Sequence, residues 1–171
     1  MGRFSLKAVA VLCASAALSG CATTVVSGPP FDLDPALAGG VFVGDIEYDL
    51  SAPLNDVSDE FRDTFTDEFG WALAACARGR QTLDLRVRLD GVQRVQALTA
   101  ARSGGTHRLR GVVEFVRPGT TDVVGRYAIE AEADAGQGLG ALLTDQEAEI
   151  SEAFGKALCR QARLWRLTPG R

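Results

Sequence analysis

Residues 83–90 read Leu-Asp-Leu-Arg-Val-Arg-Leu-Asp, a strict alternation of apolar and charged side chains. Successive side chains of a β-strand point to opposite faces, so this pattern predicts a strand with one buried face and one charged, solvent-exposed face. Such a strand needs an apolar layer over one side only. The segment therefore predicts a sheet that is covered on one face and open on the other.

Three further segments show the same two-residue period. One lies upstream, over residues 41–48, and two lie downstream, over residues 107–117 and 123–133. The last two are separated by Pro-Gly-Thr-Thr-Asp at 118–122, a composition typical of a hairpin turn. We therefore predict four strands, of which the last three are antiparallel.

Charged side chains on the polar faces predict how these strands pair. Pairing of Arg117 with Val123 would bring three oppositely charged couples together: Arg108 with Glu132, Arg110 with Glu130, and Glu114 with Arg126. Pairing of Val87 with Val113 would do the same for Arg86 with Glu114 and for Asp90 with Arg110. Each exposed pair contributes only about 0.2–1 kcal/mol, but together they favour one register over its slips.

Two helices are predicted beside the sheet. Apolar residues at four-residue spacing from Val57 to Leu73 predict a helix that begins near residues 55–58 and ends with Gly79 as its C-cap. A second helix is predicted to begin at Thr144 or Asp145, with Glu147 completing a capping box. Residues 99–106 are predicted to form a turn or a flexible loop.

This order of elements defines the predicted fold class. It is α+β, a two-layer α/β sandwich with a four-stranded, largely antiparallel sheet and two helices on one face (β-α-β-β-β-α). The single domain takes residues 41–171, a length that can bury a sufficient core without a metal or a disulfide. Residues 21–40 contain Ser-Gly-Pro-Pro, Asp-Pro and Gly-Gly, and are predicted to form a flexible tether.

The N-terminus has the pattern of an export signal. Arg3 and Lys7 precede an apolar stretch over residues 8–18 that is too short to span a bilayer. The stretch ends in Leu18-Ser19-Gly20-Cys21, which resembles the lipobox of bacterial lipoproteins. The resemblance implies that residues 1–20 are a signal peptide and that Cys21 carries the lipid. An ordinary secretory signal is the alternative.

The same resemblance implies a location. Ala22 stands where an aspartate would favour retention in the inner membrane, and this resembles the outer-membrane sorting pattern. We therefore expect a lipid anchor on the periplasmic side of the outer membrane, with the inner membrane as the alternative. Acylation at Cys21 would supply enough chains for stable anchoring.

Two cysteines remain in the domain, Cys76 and Cys159, each near the C-terminal end of a predicted helix. A disulfide between them is one interpretation, because the periplasm permits disulfides and neighbouring helices could bring these ends together. Two small buried side chains that never meet are the other interpretation. Two cysteines and one distant histidine do not make a metal site, and we predict no cofactor.

The net charge of the chain and the position of its arginines indicate which classes of partner it could bind. A formal net charge of −4 argues against a nucleic-acid partner. The polar faces of the predicted strands carry five arginines, which we single out as partner- or lipid-binding residues: Arg86, Arg88, Arg108, Arg110 and Arg126. A solvated face without a ligand is the alternative.

No catalytic signature is present. His107 is the only histidine, and the serines lack the glycines of a nucleophile elbow. The glycines at 136, 138 and 140 depart by one residue from the dinucleotide-binding spacing. We therefore predict no enzymatic activity and interpret residues 135–143 as a mobile, apolar contact loop.

The domain resembles small lipoproteins of lipopolysaccharide assembly and other periplasmic lipoproteins of unknown function. The likeness rests on the order of elements and on Arg-Gly-Val-Val-Glu-Phe at 110–115, Pro-Gly-Thr-Thr at 118–121 and Val-Gly-Arg-Tyr at 124–127. It carries no functional residues across. It implies a non-enzymatic accessory role in the cell envelope, with an envelope protein as partner. A lipid- or glycolipid-binding module that uses the arginine-rich face is the alternative.

Overall fold

The computed structural model describes residues 28–38, 40–50, 54, 57–136 and 145–164. Within these ranges the elements follow one another in this order: α1 (Pro35–Ala38), β1 (Val41–Asp49), α2 (Phe61–Cys76), β2 (Gln81–Gln93), α3 (Ala97–Ser103), β3 (Thr106–Val116), β4 (Val123–Asp134) and α4 (Gln146–Gln161). The predicted signal peptide, Cys21, most of the predicted contact loop and the C-terminal Trp165 lie outside the described residues.

The sheet has the order β1-β2-β3-β4. β1 pairs with β2 in parallel through the α2 crossover, and the other two pairings are antiparallel. The predicted α+β class with a four-stranded, largely antiparallel sheet is confirmed. Two short helices, α1 and α3, were not predicted.

The core lies between one face of the sheet and the long helices α2 and α4. Leu83, Leu85, Val87 and Leu89 of β2 are all buried there, as their alternation with charged residues predicts. From α2 and α4, phenylalanine rings meet in the centre, with Phe154 5.7 Å from Phe65 and 5.8 Å from Phe69 between centroids. The four-residue spacing in α2 is therefore a core stripe.

The predicted register is confirmed over most of its length. Glu114 lies opposite Arg126, and the other two predicted hairpin couples also face one another. The anchoring pair is wrong by one residue, because an irregularity in β4 places Val116 rather than Arg117 opposite Val123. Val87 lies opposite Val113 as predicted, but Arg110 lies opposite Gly91 instead of Asp90. The extra residue at this β-bulge accounts for the error.

Both helix ends differ from the prediction in detail. α2 ends at Cys76, and Gly79 lies beyond it, where its N–H donates to the carbonyl of Val41 at 2.7 Å. A Cβ on Gly79 would collide with the backbone of Gly40, so the close approach of two chain segments requires the glycine. At the start of α4, Asp145 is the N-cap and accepts from the N–H groups of Glu147 and Ala148. The side chain of Glu147 bonds elsewhere, so the predicted capping box is wrong.

The predicted tether, residues 21–40, includes residues at its C-terminal end that pack on the domain. Phe31 and Arg126 exchange two backbone hydrogen bonds of 2.9 and 2.8 Å, so this segment pairs with the open edge of β4. Leu33 is buried against Gly125, and its N–H donates to the hydroxyl of Tyr127 at 2.7 Å. Residues 31–38 therefore belong to the domain. The prolines and glycines of this segment predict irregular structure, and its pairing is made with a strand that is distant in sequence.

The loop predicted over residues 99–106 is largely helical. α3 occupies Ala97–Ser103, and Gly104 ends it with a positive φ of 69°. Ala100 is fully buried, and it packs in a small apolar cluster with Ala135 and Val95. The run Ala-Leu-Thr-Ala-Ala has helical propensity that the following Ser-Gly-Gly obscured.

α2 and α4 run parallel to one another, with both C-termini at one end of the domain. Cys76 and Cys159 form a disulfide there, with their Cα atoms 6.1 Å apart. The bridge closes a loop with a sequence separation of 83 residues. Loop-closure entropy gives such a bridge a stabilising contribution of about 4 kcal/mol.

Gly155 sets the distance between these helices. A Cβ on Gly155 would lie 2.5 Å from the Cβ of Ala72 and 3.2 Å from the carbonyl oxygen of Phe69. We expect Gly155→Ala to cost about 1–3 kcal/mol in urea unfolding, because the helices must separate. A Cβ on Gly70 in α2 would meet no atom within 4 Å, so Gly70→Ala is the matched control. That control should stabilise by about 0.5–1 kcal/mol. Equal shifts in the two variants would contradict the close contact.

Candidate functional site

We call the sheet face opposite α2 and α4 the outer sheet face. One row of side chains crosses all four strands on it: Glu47, Arg86, Glu114 and Arg126 are consecutive register partners from β1 to β4. The charges alternate along the row. Within this row, each charge therefore lies beside one or two charges of opposite sign.

The last two members of this row, Glu114 and Arg126, form a largely buried ion pair. Arg126 Nε donates to Glu114 Oε1 at 2.7 Å, with side-chain exposures of 14% and 4%. The N-terminal segment covers it, since the carbonyl of Pro29 accepts from Arg126 Nη1 at 3.3 Å. The Phe31 ring lies 5.6 Å from the guanidinium carbon. Arg126 is thus held by protein groups on several sides.

The other predicted arginines have partners of the same kind. Arg86 contacts Glu47 at 3.4 Å, Arg88 contacts Asp90 at 2.9 Å, and Arg108 contacts Glu132 at 2.8 Å. Arg110 is exposed in β3, where its register partner on β4 is Glu130. The structure therefore brings all five predicted arginines onto one face, but it places a carboxylate beside each.

Carboxylates outnumber arginines on the outer sheet face. Besides the partners already described, Asp49 and Asp84 point to this side of the sheet at the register positions of Arg88 and Val116. A face of this composition offers paired donors and acceptors and a net negative charge. A phosphate that approached any of these arginines would also meet a nearby carboxylate.

A second polar cluster, which the sequence analysis did not find, lies at the N-terminal ends of α2 and α4. Glu147 accepts from the Ser58 N–H at 2.8 Å, from the Ser58 hydroxyl at 2.5 Å, and from Arg94 Nη1 at 2.6 Å. Its side chain is 9% exposed. These hydrogen bonds connect the loop before α2 and the residue after β2 to the first turn of α4. Its members are far apart in sequence, and no local spacing could reveal them.

His107 lies at the start of β3 and is fully buried. Its Nδ1 accepts from the Val95 N–H at 3.2 Å, so the ring is neutral with its proton on Nε2. Nε2 has no hydrogen-bond partner among the described residues. Burial lowers the pKa of His107 below its ordinary value of 6.5; Arg94 lowers this pKa further, and Asp134 opposes the shift.

The described residues contain no group of three or more histidine, cysteine or acidic side chains arranged to hold a metal ion. Across the same ranges, no helix is long and apolar enough to cross a membrane.

Comparison with known proteins leaves the family open. No protein-family model matches the chain, and no curated protein matches it. Among solved structures, the fold is similar to that of a candidate lipoprotein from Caulobacter crescentus CB15, with a TM-score of 0.42 and 11% identity over 70% of this chain and 89% of that chain. It is also similar to a point variant of PelC from Paraburkholderia phytofirmans, solved as a dodecamer, with a TM-score of 0.39 and 12% identity over 81% of this chain and 94% of that chain.

The buried pair in the outer sheet face should matter more for stability than its exposed neighbours. We expect Glu114→Ala to lower the free energy of unfolding by on the order of 3 kcal/mol, because it leaves the largely enclosed Arg126 without its partner. Glu132→Ala, which removes the exposed partner of Arg108, should cost less than about 1 kcal/mol. Urea unfolding of both variants checks this. A smaller loss for Glu114→Ala than for Glu132→Ala would contradict the burial of the pair.

His107 should make stability depend on pH. Its pKa is lower in the folded than in the unfolded chain, so its contribution is fully present above about pH 6.5 and is lost as the pH falls below that value. His107→Asn retains an acceptor for the Val95 N–H but does not titrate. Urea unfolding from about pH 7.5 to 5.5 should show a shallower pH dependence in this variant than in the wild type. Parallel curves would rule out a contribution from His107.

Proposed function

We propose that the protein is a lipid-anchored lipoprotein of the bacterial envelope that acts as a non-enzymatic accessory factor and docks an envelope protein through the outer sheet face. The anchor is proposed from the lipobox-like Leu18-Ser19-Gly20-Cys21. Acylation at Cys21 and location on the periplasmic side of the outer membrane are parts of the same proposal.

The observation that carries the docking role is the set of exposed charges on the outer sheet face, beside the largely enclosed pair of Glu114 and Arg126. The described helices α2 and α4 pack on the opposite face, and the row's first member, Glu47, is 69% exposed. Arg108 and Glu132, further along the same face, are each about half exposed. A solvent-facing sheet with fixed, alternating charges can select a partner of complementary pattern, because misaligned like charges are costly.

The same geometry makes the lipid-binding alternative the weaker candidate. An arginine that recognises a phosphate uses its guanidinium donors for the ligand, whereas here a carboxylate already accepts a contact from Nε of Arg88, Arg108 and Arg126. The excess of acidic side chains on this face also repels an anionic headgroup. Protein docking requires neither the displacement of these partners nor a change in their charge.

The test is crosslinking in living cells. A photo-crosslinking amino acid is placed at Arg110 on the outer sheet face, and in a matched control at Asp67 on the exposed side of α2. We expect one discrete protein adduct from Arg110 and none from Asp67. The adduct should weaken in Cys21→Ser, because the untethered domain loses its high local concentration near the membrane.

Mass spectrometry of the mature chain tests the proposed lipid anchor separately from the docking face. A diacylglyceryl mass on Cys21 and an N-terminus at that residue are expected. An unmodified Cys21 would overturn the anchor, while equal adducts from Arg110 and Asp67 would overturn the docking face.

A further inference from the structure

The parallel arrangement of α2 and α4 separates charge along the domain. Their N-terminal turns carry acidic residues: Asp59, Glu60, Asp63, Asp145 and Glu149. Basic residues cluster at the C-terminal end, beside the disulfide: Arg78, Arg80, Lys156, Arg160 and Arg163. A chain of net charge −4 therefore has one end that is locally positive.

An exposed aromatic side chain adjoins this positive end. Trp71 on α2 is 75% exposed, the most exposed of the large apolar side chains in the described part of the chain. Arg78 lies two residues beyond the end of α2, where its Nε donates back to the carbonyl of Ala74 in the last turn of that helix. Ala75 lies between them and lines a groove of about 270 Å³ whose floor includes Cys76 and Cys159 and whose other helix supplies Lys156 and Arg160.

We call this surface the helix C-terminal patch: Trp71, Ala75, Arg78, Lys156 and Arg160. Part of its charge serves the fold, since Arg78 Nε donates to the carbonyl of Ala74 at 3.1 Å and Lys156 pairs with Glu152 at 2.6 Å. Such contacts do not account for Trp71. A tryptophan that is three-quarters exposed keeps its apolar ring in water, and that costs free energy unless a partner covers it.

We propose that the helix C-terminal patch docks on the anionic surface of the phospholipid bilayer. Tryptophan is favoured at the bilayer interface, where its ring is in an apolar layer and its N–H is near water. Lys156 and Arg160, which line the groove together with Ala75, would be attracted by anionic headgroups. Charge complementarity thus selects an anionic bilayer over a neutral one. The proposal uses the proposed lipid anchor only to bring a bilayer close.

This placement gives the domain an orientation. The patch belongs to the helix layer, on the opposite side from the outer sheet face. Contact between the patch and the bilayer therefore turns the charge row from Glu47 to Arg126 away from the membrane. The acidic face then avoids the anionic headgroups and points to where a partner could approach.

The test measures the fluorescence of Trp71 in the acylated, full mature chain. Trp165→Phe leaves Trp71 as the single tryptophan. The protein is reconstituted into vesicles of phosphatidylcholine alone or mixed with phosphatidylglycerol, both containing a phosphatidylcholine with brominated acyl chains as quencher. We expect a blue shift and quenching with phosphatidylglycerol, and neither without it. Salt at about 1 M should reverse both, because it shortens the screening length to ~3 Å.

Charge-reversal variants test which basic residues are responsible for docking on the vesicles. Lys156→Glu with Arg160→Glu should lower the docked-to-undocked ratio by at least about 25-fold, since each cation near an anionic surface contributes roughly a factor of five. Arg62→Glu with Arg102→Glu changes the net charge equally at sites outside the patch, and quenching should persist. Circular dichroism verifies that both pairs fold. If either double variant does not fold, the loss of quenching in high salt still tests the proposal.

Three outcomes would overturn the proposal: no quenching in either vesicle, equal quenching in both, or loss of quenching in both charge variants alike. A protein crosslinked specifically through residue 71 in cells, with no quenching by lipid, would assign the patch to a protein partner instead. If Cys21 proves unacylated, sedimentation of the chain with preformed vesicles of the same two compositions tests the patch independently of the anchor.

Discussion

The close contact between α2 and α4 is the constraint on which the rest of the structure depends. Gly155 lets the two helices approach until a Cβ would collide with Ala72, and the Cys76–Cys159 disulfide joins their C-terminal ends. The pair forms one apolar surface, with Phe65, Phe69 and Phe154 at its centre. Because that surface covers one face of the sheet, the charged side chains of all four strands must lie on the other face.

Charged side chains on the outer sheet face are stabilised by opposite charges and other groups close to them. Glu114 and Arg126 form a largely buried pair, and a buried charge is stable only where its partner and further polar groups are close. The N-terminal segment provides them through the Pro29 carbonyl and the Phe31 ring. The same segment pairs with the edge of β4 at Phe31, so it protects part of an edge that would otherwise invite strand pairing.

Local periodicity predicted what depends on near neighbours in the chain. Alternation in Leu83–Asp90 predicted β2, four-residue spacing predicted α2, and the opposite charges of Glu114 and Arg126 predicted the hairpin register. Several of the predictions that were wrong involve distant segments. Gly79 serves an approach to Gly40, Glu147 bonds with Ser58 and Arg94, and Phe31 pairs with Arg126. No spacing within a short window encodes such contacts.

Of the candidate site, the sequence by itself determined that five arginines share one face, because a two-residue period puts alternate side chains on the same side of a strand. Only the tertiary structure decided what those arginines can do. The strand pairing and side-chain packing place carboxylates beside them, and this turns an apparent cationic surface into a paired and partly acidic one. Likewise, Trp71 and Lys156 lie on two separate helices, and the parallel packing of those helices brings their C-terminal halves to one end of the domain. Local pattern sets the direction of a side chain, whereas long-range packing sets its neighbours, and the chemistry of a surface depends on both.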